Sequence, residues 1–556
     1  MSGSQIIAAG AALDAFSCDT QRNRLMRLEF PFKDGPQTAI LLPDTLHAHE
    51  EVSRDFRFDV ELLSDDECIP LKMLMGKMVA IALVRADGSL RYFNGYVSEF
   101  RFVRTDSGFA FYHMALVPWL AFARLRKDNV SFHAKSVREI TEETFKQYSQ
   151  ADWQMCSVDN DKRLTVANQY NETDYNHLHR RWETLGLHYW YEHRLDGHTL
   201  MLSDQSMLRG PIDDSGHNHA GVIPFHPENG ALEYEGVRKW TAVQRLGSGK
   251  TTLASFDYKN PVARRASAHS ENAQPDVVPY EVYEDTGSDG FRTHLDGEQL
   301  AKQRMLEKDK DTQYFEAEGN DRAVQAGRTF RLGKHVSAKV RLAQYDRGRD
   351  GSEGSGEYLI LSVDHDASNN YQAGKEARSH YRNRMVCVRQ DVCWRPGTNF
   401  NSQPCPNPGV QTAIVVGPDG SEIYTDGFGR VRVQFHWDRL GTYNENSSPW
   451  IRVMAPAAGQ QSGQIRLPRV NEEVVVVYAN GNIDHPLILG SVYNGKNFPP
   501  WKLPEQSALA GLRSRGARWR RTWQPPHPGR YEGKNPGPAQ ERSPLQPTLA
   551  RAHYAY

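Results

Sequence analysis

Asp426-Gly-Phe-Gly-Arg-Val-Arg-Val-Gln-Phe-His-Trp-Asp438 decides the fold class of this chain. Asp426 to Gly429 carries turn chemistry: an Asx side chain that can bond its own backbone, and two glycines. Val431, Val433 and Phe435 then fall on one face of an extended segment, with Arg430, Arg432 and Gln434 on the other. That period of two belongs to a half-buried strand. Outward from it, Thr412 to Val416 reads as a strand, and Trp450 to Met454 repeats the alternation. Asn471-Glu-Glu-Val-Val-Val-Val-Tyr478 reads as a buried strand, and Pro486 to Tyr493 as another. Five short strands in one compact stretch, residues 410–500, predict a small β-barrel of the OB type.

Upstream of the barrel, Pro396, Pro404, Pro406 and Pro408 crowd into residues 394–409. Proline lacks an amide donor and resists both helix and central strand, so this stretch reads as a linker. Residues 21–393 form a large region, mainly strands with a few helices, and residues 1–20 form an N-terminal arm. Arg24 to Phe30 and the alternating Asp55 to Leu62 read as strands. Met78 to Val84 is apolar throughout and so buried on both faces. Tyr92 to Val103 and Phe109 to Val117 read as neighbouring strands around Thr105-Asp-Ser-Gly108. Ser136-Val-Arg-Glu139 is a capping box that opens a helix. A second helix runs from about Thr173 to Leu185, with Gly186 as its stop, and a third spans Glu298 to Lys308. Asp213 to Asn229, Pro261 to Asp289 and Arg347 to Gly356 read as loops. The fold class is therefore β-rich α+β.

The bulk composition narrows function by exclusion. With 556 residues the chain is too long for one ordinary domain. A formal net charge of -1 asks for neither nucleic acid nor an anionic membrane as partner. Charge is uneven, however: residues 511–556 hold nine Lys/Arg against two Asp/Glu, behind a mildly acidic body. The six cysteines are sparse and show no framework spacing, which fits a chain folded in a reducing cytosol. The N-terminus has no early Lys or Arg, and its apolar run is broken by Gly10 and Asp14, so it makes a poor signal peptide. No window approaches the roughly 18 apolar residues of a membrane-spanning helix.

Gly247-Ser-Gly-Lys-Thr-Thr252 lacks the first glycine of a phosphate loop, since Gln244 stands there, and Leu253 to Tyr258 alternates like a strand instead of opening a helix. It reads as a hairpin turn. His47-x-His49, His177-x-His179 and His217-x-His219 lack a third ligand at metal spacing. Cys387, Cys393 and Cys405 include no C-x2-C pair. His188-Tyr-Trp-Tyr-Glu-His193 reads as a half-buried strand and not as a base-stacking platform. No residue is singled out as catalytic, cofactor-binding or metal-ligating, and the chain is not expected to be an enzyme.

Several ordered blocks carry a resemblance. Asp174-Tyr-Asn-His-Leu, Trp182-Glu-Thr-Leu-Gly-Leu-His-Tyr-Trp-Tyr-Glu-His193 and Asp196-Gly-His-Thr-Leu200 resemble the hub region of VgrG, the valine-glycine repeat spike family of type VI secretion systems. So do Asp426 to Asp438, Ser447-Ser-Pro-Trp-Ile-Arg-Val453, Ile465-Arg-Leu-Pro-Arg-Val-Asn-Glu-Glu-Val474 and His485-Pro-Leu-Ile-Leu-Gly-Ser-Val-Tyr-Asn494, in the family's order. The resemblance implies that residues 21–393 form a contractile-phage-like tail hub of two β-barrel-like subdomains with helical insertions, followed by an OB-fold spike base, assembled as a homotrimer. It implies a hub that caps the hexameric Hcp tube beside baseplate components, and a PAAR-repeat tip and effector cargo beyond the barrel. It also implies release by the type VI machine without a signal peptide. The alternatives are the tail hub of a phage or phage-derived contractile particle, and an effector-bearing spike with an enzymatic C-terminal extension.

The family's β-prism needle has no counterpart here. After Leu512 the composition breaks into Arg518-Trp-Arg-Arg-Thr-Trp523 and seven further prolines. Residues 501–556 therefore read as a disordered Pro/Arg-rich tail, because a ladder needs the amides that proline lacks. Two readings of it stand: a genuine basic extension, or the off-frame translation of a G+C-rich gene. The abruptness of the change favours the second, which would make this a truncated spike base.

Overall fold

The computed structural model describes residues 21–513, except 107, 157, 159–160, 206–209, 216–219, 227–233, 273–275, 289, 334–355, 370, 372–378 and 461. The expected N-terminal arm, the tail from residue 514 onward, His217, His219 and nearly all of the Arg347 to Gly356 loop lie outside the described residues. Two compact units emerge. The first comprises residues up to Gly409 together with Trp437–Leu440 and Tyr478–Pro486, and the second comprises Val410–His436, Gly441–Val477 and the residues from Leu487 on.

The first unit is built on one 12-stranded sheet. Its main path runs Met26–Glu29, Met78–Val84, Leu90–Asp106, Phe109–Val117, Arg57–Ser64, Leu41–Glu51, Glu357–Ser368, His380–Arg389, Gln313–Gly319 and Val237–Gln244. Met78–Val84 is buried on both faces over its first six residues, as its unbroken apolar run requires. Phe58, Ile81, Phe93, Leu116, Trp119 and Trp182 lie in the main core beside this sheet. Phe315, Phe330, Ile360 and Met385 form a second core.

Among the described residues, three α-helices lie in this unit. Helix α1 spans Val137–Phe145. Its capping box is complete: the Glu139 amide donates to Ser136 Oγ at 3.3 Å, and the Ser136 amide donates to Glu139 Oε2 at 2.8 Å. Helix α2 spans Asp174–Leu185, capped by Thr173 and ended by Gly186 at φ 76°. A side chain at that left-handed position would be strained, which is why glycine supplies the stop. Helix α3 spans His294–Asp309 and starts four residues before its expected beginning. The Asp296 amide donates to the Thr293 hydroxyl, a cap that the charged, weakly periodic sequence concealed.

Three expectations need correction. Pro261 to Asp289 is not loop: Asn260–His269 and Glu281–Ser288 are strands that flank Lys250–Asp257 in a separate three-stranded sheet. Both are edge strands that bury only small side chains, such as Ala266 against Leu253 and Phe291, and Pro261 sits at a strand start where its missing donor costs little. Gly247-Ser-Gly is no hairpin turn, because it joins Val237–Gln244 in the large sheet to Lys250–Asp257 in the small one. Within the Asp213 to Asn229 loop, Val222–Ile223 pairs in parallel with Arg331–Leu332.

The second unit is the OB barrel. Its five strands lie in the order Arg432–Phe435, Gln411–Val416, Glu473–Tyr478, Pro486–Val492 and Arg452–Val453. A bridge between Val431 and Ile451 joins the first strand to the last and closes the barrel. Val415, Val431, Val433, Val474, Val476 and Ile488 fill its centre and are fully buried. Of the expected Trp450 to Met454 strand only Arg452–Val453 pairs as a strand. The Asp426 turn works as its chemistry predicts, since one carboxylate oxygen accepts the amides of Phe428 and Arg430.

Candidate assembly surfaces and buried polar locks

Alternation along the large sheet's central strands sends one set of polar side chains into the core, where each needs a partner. Glu50 and Arg91 meet there as an ion pair, and His365 Nε2 donates to the same Glu50 oxygen at 2.7 Å. His365 Nδ1 then accepts from the Tyr381 hydroxyl at 2.7 Å. Burial opposes the charge on Glu50, but Arg91 and His365 outweigh it and hold the carboxyl down at about 2. Burial, reinforced by Arg91, pulls His365 down to about 4, so its imidazole is neutral at neutral pH. The group is a lock across three segments far apart in sequence.

The other set of side chains points to solvent. His47 and His380 both approach Asp366, at 3.0 and 3.1 Å. His49 lies 2.6 Å from Asp364 and 3.4 Å from Glu51. The Glu51 hydrogen bond leads in raising His49 to about 9, against the opposing effect of burial and with the help of Asp364.

The helical histidine pair is structural in geometry. His177 Nδ1 lies 3.3 Å from Glu172, whereas His179 hydrogen-bonds the Tyr175 carbonyl and the Tyr189 hydroxyl. Two residues apart on α2, they serve different neighbours. The strand His188–Arg194 is buried on both faces over its first four residues, more deeply than its sequence suggested. Lys250, from the Gly-Lys-Thr motif, pairs with Glu281 at 2.9 Å across two strands. Among the described residues, no three His, Cys, Asp or Glu side chains come together as a metal site.

The Pro-rich stretch is fastened along its length. Glu183, on α2, accepts the amides of Asn401 and Ser402 at 2.7 and 3.1 Å and the Ser402 hydroxyl at 2.6 Å. Asn176 accepts the Gln403 amide, and Arg395 donates to the Gly186 carbonyl at 2.6 Å. Sequence reasoning missed this cradle because most of its donors are backbone amides, which no side-chain pattern marks. Also within the first unit, Arg181 pairs with Asp484 at 2.7 Å and the Asn168 amide donates to the same carboxylate. The buried carboxylates thus hold segments together.

The barrel presents a different surface. Met454, Ile465, Tyr493 and Phe498 are each more than half exposed, and Leu489 is 41% exposed.

Comparison with known proteins places these features. The family described as phage tail baseplate hub matches residues 49–371, and the type VI secretion system/phage-baseplate injector OB domain matches residues 411–493. The spike protein VgrG1a of Pseudomonas aeruginosa is 31% identical over 505 residues, covering 90% of this chain and 74% of its own. VgrG1b of the same organism is 30% identical, again over 90% of this chain, which spans 64% of its length. The chain is therefore shorter than both relatives. In fold it is similar to an Escherichia coli component of the type VI secretion system with structural similarity to the T4 bacteriophage tail proteins gp27 and gp5. The TM-score is 0.55 at 15% identity, over 84% of this chain and 99% of that one. A tail-hub region, an OB barrel and a relative aligned along most of both chains identify this protein as a member of the VgrG family of type VI secretion system spike proteins.

Proposed function

We propose that this chain assembles as a homotrimer into the base of a type VI spike. The hub region caps the hexameric Hcp tube beside the baseplate, and the OB barrel forms the spike base. A PAAR-repeat tip and effector cargo join the assembly, and the type VI machine ejects the whole. The observation that carries this reading is the order of the two matches on one chain, hub at 49–371 and then injector OB domain at 411–493. The apolar side chains on the barrel's outside supply a surface for a second and third copy. On this reading the chain works as a mechanical part and turns over no substrate.

Light scattering on the purified chain across a concentration series tests it. A native mass of three times 63.1 kDa is expected, and a monomer at every concentration overturns the trimer. Co-sedimentation with Hcp tubes then tests the cap, and failure to pellet with them removes that role.

A further inference from the structure

The small sheet of the first unit has two edge strands of opposite charge, the acidic one meeting the Ala479–Gly481 turn at its Gly287 end. Asn260–His269 forms one edge and carries Arg264 and Arg265 with no acidic residue. Glu281–Ser288 forms the other and carries Glu281, Glu284 and Asp285 with no basic one. The cross-strand register sharpens this polarity. Ala254, on the central strand, lies opposite Arg265 on one side and Asp285 on the other. One straight row across the sheet thus begins with a cation and ends with an anion on the same face. Both side chains are exposed, and Asp285 otherwise accepts only the nearby Gly287 amide at 2.9 Å. Phe256 and Tyr283 stand exposed on that face as well, at 42% and 55%.

Exposed edges normally carry charge to keep other strands away. One sign on both edges would repel a second copy. Segregated signs do the reverse, since the basic edge of one copy meets the acidic edge of the next. Resting on the trimer reading above, we propose that the edge Glu281–Ser288 of one copy pairs antiparallel with the edge Asn260–His269 of the next, with Asp285 beside Arg265. The outer strands run in opposite directions, so copies related by rotation about an axis along the strands present them antiparallel. Such a contact is head-to-tail, and it closes when the rotation closes. The exposed Phe256 and Tyr283 lose solvent as the sheets join.

Arg265→Cys and Asp285→Cys are combined in one chain with Cys68→Ser, which removes an exposed thiol. Mild oxidation should then yield a covalent trimer on a non-reducing gel, while either single cysteine yields none. In parallel, Arg265→Glu or Asp285→Arg alone should lower the native mass, and the double swap should restore it, which also rules out misfolding as the cause. A wild-type trimer whose double-cysteine variant does not cross-link, and whose mass ignores both reversals, overturns the edge contact and leaves the trimer standing. A wild-type monomer at all concentrations overturns both.

Discussion

His365 shows how one buried side chain ties stability to pH. Its folded value of about 4 lies below the ordinary 6.5, so the unfolded chain binds its proton more readily. The stability it contributes is complete above about pH 6.5 and is lost as pH falls toward 4. His193 is likewise drawn down to about 4, chiefly by burial, and adds in the same direction. Glu50, held at about 2 against an ordinary 4.5, adds a further loss below about pH 4.5. The urea midpoint should therefore fall as pH drops from 7 to 4, and His365→Gln should flatten that slope. A slope unchanged by the substitution would show that the buried network is not the titrating element. Glu50→Gln at pH 7 strands Arg91 in the core, a loss on the order of 3–5 kcal/mol read from the same unfolding curves.

At the scale of single elements, local signals were legible wherever they were self-sufficient. The Ser136 capping box needs only residues three apart, and Gly186 needs only its left-handed φ. Ser136→Ala should destabilise by about 1 kcal/mol in equilibrium unfolding, and Ser136→Thr should lose much less. The barrel strands announced themselves because one face of each is buried, which imposes alternation. The edges Asn260–His269 and Glu281–Ser288 were illegible for the converse reason, since both are mostly exposed and the few small residues they bury, such as Ala266, leave no apolar alternation. The start of α3 was hidden because its first turn faces water. The Glu183 cradle and the Arg181–Asp484 pair were unreadable in another way: their partners lie more than 200 residues away, and no short motif encodes that distance.

For the whole molecule, the chain path matters as much as the fold. The first unit is completed by Trp437–Leu440 and Tyr478–Pro486, segments that interrupt the barrel sequence. A chain cut after Gly409 would keep nearly all of the large sheet yet lose Asp484, leaving Arg181, which is only 11% exposed, without its carboxylate. That truncation should lower the thermal midpoint of the hub or send it to the insoluble fraction. A cut chain as stable as the same region in the full protein would contradict this assignment of segments.

The same long-range pair has a consequence for synthesis. Arg181 leaves the ribosome 303 residues before Asp484 does. At translation speeds of roughly 5–20 residues per second, the helix bearing it waits on the order of 15–60 s for its counter-charge. Through that interval the nascent hub stays incomplete, and a chaperone acting there would be guarding a deficit that only late codons can repair.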